Sequence, residues 1–185
     1  MFRRNALLIG ACLAGAVAFT SVDVQAQQIQ GIRPEVHLDL GWWEAAGVGF
    51  RIDIPIVPNG FLRSGSVRDE LALSPGADLW LYWANNFCHT HSGTTHCHNG
   101  GTNFGLWPIL TLQWNLYFGN SGWSIFPEAG LVMGLFDSPW FWGGWNGAIW
   151  ISPTVGFGAR YHFNQRLALL MRVMFPGGLQ IGLTF

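Results

Sequence analysis

Gly178-Leu179-Gln180-Ile181-Gly182-Leu183-Thr184-Phe185, which ends the 185-residue sequence, sets an apolar side chain at every odd position and a small or polar one at every even position. Side chains alternate sides along a strand, so this segment reads as a strand with one apolar and one polar face. A one-residue slip would exchange the two faces, which makes parity a test for every further strand.

Seven more segments sort in the same way. In the first, Val36, Leu38, Leu40 and Trp42 oppose Glu35, His37, Asp39 and Gly41, and in the second Val48, Phe50, Ile52, Ile54 and Ile56 oppose Arg51 and Asp53. The third sets Leu71, Leu73, Ala77, Leu79, Leu81 and Trp83 against Glu70, Ser74, Asp78, Trp80 and Tyr82. The fourth sets Leu106, Leu110, Leu112, Trp114, Leu116 and Phe118 against Thr111, Gln113, Asn115 and Tyr117. Trp123, Ile125, Ala129, Leu131 and Met133 oppose Ser124, Glu128 and Gly130 in the fifth. Ile149, Ile151, Val155, Phe157, Tyr161 and Phe163 oppose Ser152, Thr154, Arg160 and His162 in the sixth, and the seventh, from Arg166 to Phe175, turns Arg172 to the polar side. With Gly178 to Phe185 the count is eight, an even number that closes an antiparallel up-and-down barrel.

The amino terminus points to export. Arg3 and Arg4 precede an apolar stretch from Ala6 to Thr20, and Val24-Gln25-Ala26 offers small residues for cleavage, so residues 1–26 read as a signal peptide and 27–185 as one barrel domain. Ile9-Gly10-Ala11-Cys12 resembles a lipoprotein box, but its apolar run is short and Leu13 to Phe19 would be stranded beyond the cut. No later run reaches the roughly 18 apolar residues that a membrane helix needs. Half the chain is hydrophobic and 10% charged, with 25 Gly, 11 Trp and no Lys. That composition suits strands facing lipid. After cleavage, 7 Arg and 9 acids remain, so no basic surface exists to attract nucleic acid.

The expected fold class is therefore an all-β, transmembrane, antiparallel up-and-down barrel of eight strands in a bacterial outer membrane, with lipid as its first partner. Gly119-Asn120-Ser121-Gly122 and Asn164-Gln165 read as short periplasmic turns, and Ala84 to Asn103 and Asp137 to Gly147 as longer outer loops. Val57 to Asp69 is long for a periplasmic turn and either extends the second and third strands or forms a plug-like excursion. Aromatic residues collect near strand ends, with Trp114, Phe118, Trp123, Tyr161 and Phe163 at one rim and Trp140, Phe141, Trp142 and Trp145 at the other. Such belts sit at headgroup depth, and the second group alternatively makes a contact patch.

In this arrangement the chain resembles the small eight-stranded outer-membrane barrels of the OmpA and OmpX type. The resemblance implies that Phe185 serves as the carboxy-terminal aromatic offered to the barrel-assembly machinery. Trp107 to Gly130, with Gln113-Trp114-Asn115 and Trp123-Ser124-Ile125-Phe126-Pro127-Glu128-Ala129-Gly130, is similar to an uncharacterised barrel family. That likeness implies a fold and no activity.

The polar faces assign Glu35, Asp39, Asp53, Glu70, Asp78 and Glu128 to the lumen with Arg51, Arg160, Arg172, His37 and His162. Eight strands leave an interior that side chains fill, and buried charges there must be paired. A structural salt-bridge network is the expectation. The alternatives are a narrow proton or cation path, or an acid-base pair such as Glu128 with His162. Small barrels that trim lipid acyl chains need a Ser, a His and an acid near the outer rim; no His-x-Ser signature occurs, and no enzyme is expected.

Cys88-His89-Thr90-His91-Ser92-Gly93-Thr94-Thr95-His96-Cys97-His98 has a near-mirror order. With Ser92-Gly93 as a two-residue turn, His91 opposes Thr94, Thr90 opposes Thr95, His89 opposes His96 and Cys88 opposes Cys97. Alternation then gives one face to the cysteines and threonines and the other to His89, His91, His96 and His98. In the oxidising envelope Cys88 and Cys97 are expected to form a disulfide, worth about 2–3 kcal/mol in the chain-entropy model, rather than a reduced Cys/His zinc site. The four imidazoles are candidate ligands for Zn, Cu or Ni. A merely solvated polar loop and a pH-dependent contact are the competing readings. No other cofactor is implied.

Overall fold

The structure is a computed structural model, and it describes residues 31–42, 45–62, 66–84, 87–91, 94–98, 101–119, 121–135 and 149–185. The expected signal peptide with Cys12, the expected Ser92-Gly93 turn and the segment carrying Trp140, Phe141, Trp142 and Trp145 lie outside these residues.

The strands are β1 (Arg33–Leu40), β2 (Ala45–Val57), β3 (Val67–Ala84), β4 (Phe87–His91), β5 (Thr94–His98), β6 (Gly101–Phe118), β7 (Trp123–Gly134), β8 (Trp150–His162), β9 (Ala168–Phe175) and β10 (Gly178–Thr184). Eight of them form a closed barrel in the order β1-β10-β9-β8-β7-β6-β3-β2, and β4 pairs with β5 as a separate two-stranded sheet. Every pairing is antiparallel. Closure is made by the carboxy-terminal segment. Glu35 to Leu40 pair with Thr184 to Leu179, and the Phe185 amide donates to the Pro34 carbonyl at 2.9 Å. At the β9–β10 turn Gly178 has φ +109°, and a Cβ there would come within 2.2 Å of the Leu40 carbonyl oxygen, so a side chain would hold the closing strand off β1.

Burial alternates along the barrel strands, with the charged side chains inside together with a set of aromatic and aliphatic ones, and an apolar surface outside that Asp69 alone interrupts among the described strand carboxylates. Arg33, Glu35, His37 and Asp39 are buried, while Val36, Leu38 and Leu40 between them are exposed. The inward residues include four arginines and six carboxylates, and the outward ones include Ile149 and Ile151, each 66% exposed. This is the reverse of the usual arrangement of a water-soluble domain. The connections after β2, β6 and β8 gather at the end where β1 begins and β10 finishes. The hairpin β4–β5 stands at the other end, between two 18-residue strands.

Much of the expected 84–103 loop is therefore strand. The Val57 to Asp69 segment extends β2 and β3, and between them it turns back onto the outer wall. Phe61 and Leu62 donate backbone N–H groups to Asp69 at 2.9 and 2.8 Å, and the Trp114 indole donates to the same carboxylate at 2.8 Å. Asp69 thus has outward parity and is nevertheless buried, because the loop covers it. The neighbouring aromatic rim is present, with Tyr161 5.0 Å from Trp123 and 5.3 Å from Phe163 between ring centroids.

Inside, Phe126 is fully buried beneath two guanidinium groups, 4.1 Å from Arg160 and 5.3 Å from Arg172. Its ring occupies space that Gly158 on the adjoining strand leaves open, and a Cβ at Gly158 would lie 2.2 Å from it. Gly158→Ala is expected to cost about 1–3 kcal/mol by overpacking. Adding Phe126→Leu should return part of that loss, so urea midpoints of the two singles and the double should be non-additive.

Candidate functional site

The lumen is organised in tiers. At the end where β1 begins, Arg33 donates to the Tyr117 hydroxyl at 2.9 Å and pairs closely with Glu70, with Asp53 3.8 Å away. Asn115 donates to the same Glu70 at 3.3 Å. Next to this group Ser124 and His162 share a hydrogen bond of 2.9 Å, and the Tyr117 and His162 rings lie 5.9 Å apart.

The middle tier is centred on Arg160 and Arg172. Arg160 reaches Asp53 at 2.6 Å, Glu35 at 3.3 Å, Gln113 at 3.1 Å and Asn115 at 2.7 Å. Arg172 meets both oxygens of Glu35 at 2.8 Å and Glu128 at 2.9 Å. Arg51 lies 3.4 Å from Glu128, which also accepts from Thr111 at 2.9 Å and Gln113 at 3.2 Å. Ser74 supplies the second contact to Asp53 at 2.7 Å. The guanidinium fork suits this role, since one arginine can bond several acceptors on different strands.

Above it, His37, Asp39 and Asp78 meet beside Gln180. His37 Nε2 is 3.1 Å from Asp78 and 3.4 Å from Asp39, and its Nδ1 is 3.2 Å from Glu35. The top tier is aromatic: Trp80, Tyr82 and Trp107 pack with Ile109, Val132 and Met174, and the Trp107 ring is 5.2 Å from both Trp80 and Trp150. A wall of side chains thus fills the strand interior from tier to tier, as eight strands require.

Every residue assigned to the lumen by parity faces it, namely Glu35, Asp39, Arg51, Asp53, Glu70, Asp78, Glu128, Arg160, His162 and Arg172, all buried. Arg33, Phe126 and Trp107 were not singled out, although Arg33 continues the odd parity of β1 and could have been. The Glu128–His162 pair does not form. Glu128 stands opposite Gly156 on β8, six residues short of His162, which is about 20 Å along a strand. His162 is paired instead with Ser124. Its Nδ1 meets no acceptor among the described residues, so the two side chains lack the carboxylate that orients a catalytic histidine.

At the hairpin the register is Phe87 with His98, Cys88 with Cys97, His89 with His96, Thr90 with Thr95 and His91 with Thr94. The mirror order of the sequence is thus the pairing order of the two strands. His89 and His96 are direct cross-strand neighbours, and so are the two cysteines.

No protein-family model and no curated protein matches the chain.

Removing one arginine from the middle tier should be costly because its carboxylates stay behind. Arg160→Met is expected to lower stability by about 3–5 kcal/mol, and adding Asp53→Asn should recover a substantial part. Urea unfolding followed by tryptophan fluorescence would measure both.

Proposed function

We propose that this protein is a non-enzymatic barrel of a bacterial outer membrane, with a structural or surface-binding role and a metal-binding hairpin outside the cell. The observation that carries the membrane reading is the inversion of polarity, a charged interior behind a continuous apolar wall. In water that wall would expose Leu38, Val48, Leu112, Leu131, Ile151 and Val155 without partners. In lipid it is the solvated surface, and closure leaves no strand edge unpaired. The aromatic rim of Trp123, Tyr161 and Phe163 suits headgroup depth on the side of the short turns, which makes that side periplasmic and the hairpin external. Phe185 at the end of the closing strand is the element offered to the assembly machinery.

Within that reading, the hairpin register supports a Cys88–Cys97 disulfide in an oxidising compartment and a shared ion at His89 and His96. Directly opposed residues have Cβ atoms about 4.5–5.5 Å apart, a separation two imidazoles bridge around Zn, Cu or Ni. His91 and His98 complete the proposed ligand set. The filled lumen favours a structural barrel over a pore.

Leu112→Arg on the outer wall should reduce insertion into lipid vesicles, by about 2–4 kcal/mol near mid-membrane, while Thr111→Arg should act through lumen packing. Equal tolerance of vesicle insertion at both positions would refute the membrane reading. Planar-bilayer recordings are expected to show no steady conductance, and a reproducible channel altered by Glu128→Gln would establish the pore alternative.

For the hairpin, non-reduced peptide mapping should link Cys88 to Cys97, and calorimetry should show metal uptake that the paired substitution His89→Ala with His96→Ala removes. Replacing both cysteines should weaken uptake without abolishing it. Affinity should fall below about pH 6 as free imidazoles take up protons. Absence of uptake by the hairpin at neutral pH would leave it a solvated loop.

A further inference from the structure

We propose a second, internal metal site in the lumen, formed by His37 and Asp39 of β1 and Asp78 of β3, for a divalent cation of the zinc class. These three side chains each offer a ligand atom, and the atoms lie within 4.8 Å of one another. They come from strands that are not neighbours. β2 lies between them, and there it has only Gly49, opposite both His37 and Asp78, and Gly47, opposite Asp39. A Cβ at Gly49 would fall 2.1 Å from His37 Nε2 and 2.4 Å from Asp78 Oδ1, so the absence of a side chain on β2 is what lets β1 and β3 meet across it.

The charge balance points to a cation. Five of the six lumen carboxylates share the four arginines: Glu35 with Arg160 and Arg172, Asp53 with Arg33 and Arg160, Glu70 with Arg33, Glu128 with Arg51 and Arg172, and Asp78 with Arg51 at 3.6 Å. Asp39 has no arginine among the described residues. It is 1% exposed, and its Oδ2 makes no hydrogen bond there, facing the strip at Gly47, where a Cβ would lie 3.1 Å away. A buried carboxylate with no arginine beside it is either protonated or paired with another positive charge, and a cation at this cluster would supply that charge.

The geometry suits a metal. Two ligands at 2.0–2.1 Å from a tetrahedral zinc lie about 3.3 Å apart. The distances from His37 Nε2 to Asp78 Oδ1 and Asp39 Oδ1 are 3.1 and 3.4 Å. The surrounding groups orient the ligands. Without an ion, His37 Nε2 is hydrogen-bonded to Asp78 at 3.1 Å, so a cation would enter by displacing that proton, and Glu35, 3.2 Å from Nδ1, stands where a carboxylate commonly backs a metal-bound histidine. Gln180 accepts from Arg172 at 3.0 Å and Arg51 at 3.3 Å, which turns its amide nitrogen to Asp39 at 2.7 Å and Asp78 at 3.4 Å. Three protein ligands of one nitrogen and two oxygens leave a fourth position for water.

The test separates this site from the hairpin by using the full chain with His89, His91, His96 and His98 all changed to Ala. That protein is stripped with chelator in denaturant, refolded in detergent with Zn²⁺ or Co²⁺, desalted and assayed for bound metal. About one ion per chain is expected, with visible Co²⁺ absorption bands and a Zn²⁺-dependent rise in the urea midpoint. Asp39→Asn, similar in shape, should lower retention at least tenfold while the protein still shows the folded band on an unboiled gel. A metal-free product in the parent with its lumen intact would overturn the site whatever the hairpin does, and so would undiminished retention in Asp39→Asn.

Discussion

Closure of the barrel is the constraint on which the rest depends. Once β10 pairs with β1, no strand edge remains in the wall, and every residue must face either the lumen or the outside. The alternation of the sequence then sets most of the content: the lumen receives four arginines and six carboxylates with an aromatic and aliphatic cap, and the outside receives most of the aliphatic side chains. The network of Arg33, Arg51, Arg160 and Arg172 follows from that sorting. Its charges are buried because of their parity, and they are tolerated because each arginine spans acceptors from several strands.

Parity was legible in the sequence because it depends only on a residue's position within its own strand. Height was not. Which lumen residue meets which is decided by the registers of all eight pairings, and those are long-range properties. Glu128 and His162 sit on adjoining strands and share a face, yet the β7–β8 register sets Glu128 against Gly156. The same register brings Ser124 beside His162, a contact no local pattern announces. Arg33 and Phe126 are less legible for different reasons: the first lies two residues before the alternating run that starts at Glu35, and the second is apolar on a polar face. Phe126 fits there because the guanidinium groups of Arg160 and Arg172 lie over its ring, an attractive cation–π arrangement.

The hairpin was legible for the opposite reason. Its pairing is local, so the mirror order of Cys88 to His98 carries the register directly. Asp69 marks the limit of the parity rule. A carboxylate on the outer wall contradicts the pattern until Phe61 and Leu62 are placed over it and supply two backbone N–H donors, with Trp114 adding a third. A carboxylate so satisfied is shielded from its apolar surroundings. The length of the Val57 to Asp69 segment, excessive for a turn, is accounted for by the group it covers.

The tiers of the lumen differ in how completely their charges are matched. In the middle tier Glu35 has two arginines and Asp53 has two, Ser74 donates a further hydrogen bond to Asp53, and Gln113 and Asn115 accept from Arg160. Next to the aromatic cap the supply of arginine ends with Arg51, and histidine and glycine replace it. A tier whose carboxylates each meet two arginines is held rigidly, because each group is tied to several strands and moving one uncovers another. An undermatched tier behaves differently: Asp39 and Asp78 face each other across two glycines with one imidazole between them. No side chain fits on the strand between them, since a Cβ at Gly49 would fall 2.1 Å from His37 Nε2 and one at Gly47 2.7 Å from the Leu79 carbonyl oxygen. The glycines thus let the imidazole and the two carboxylates approach one another closely, which is the condition for sharing a small cation.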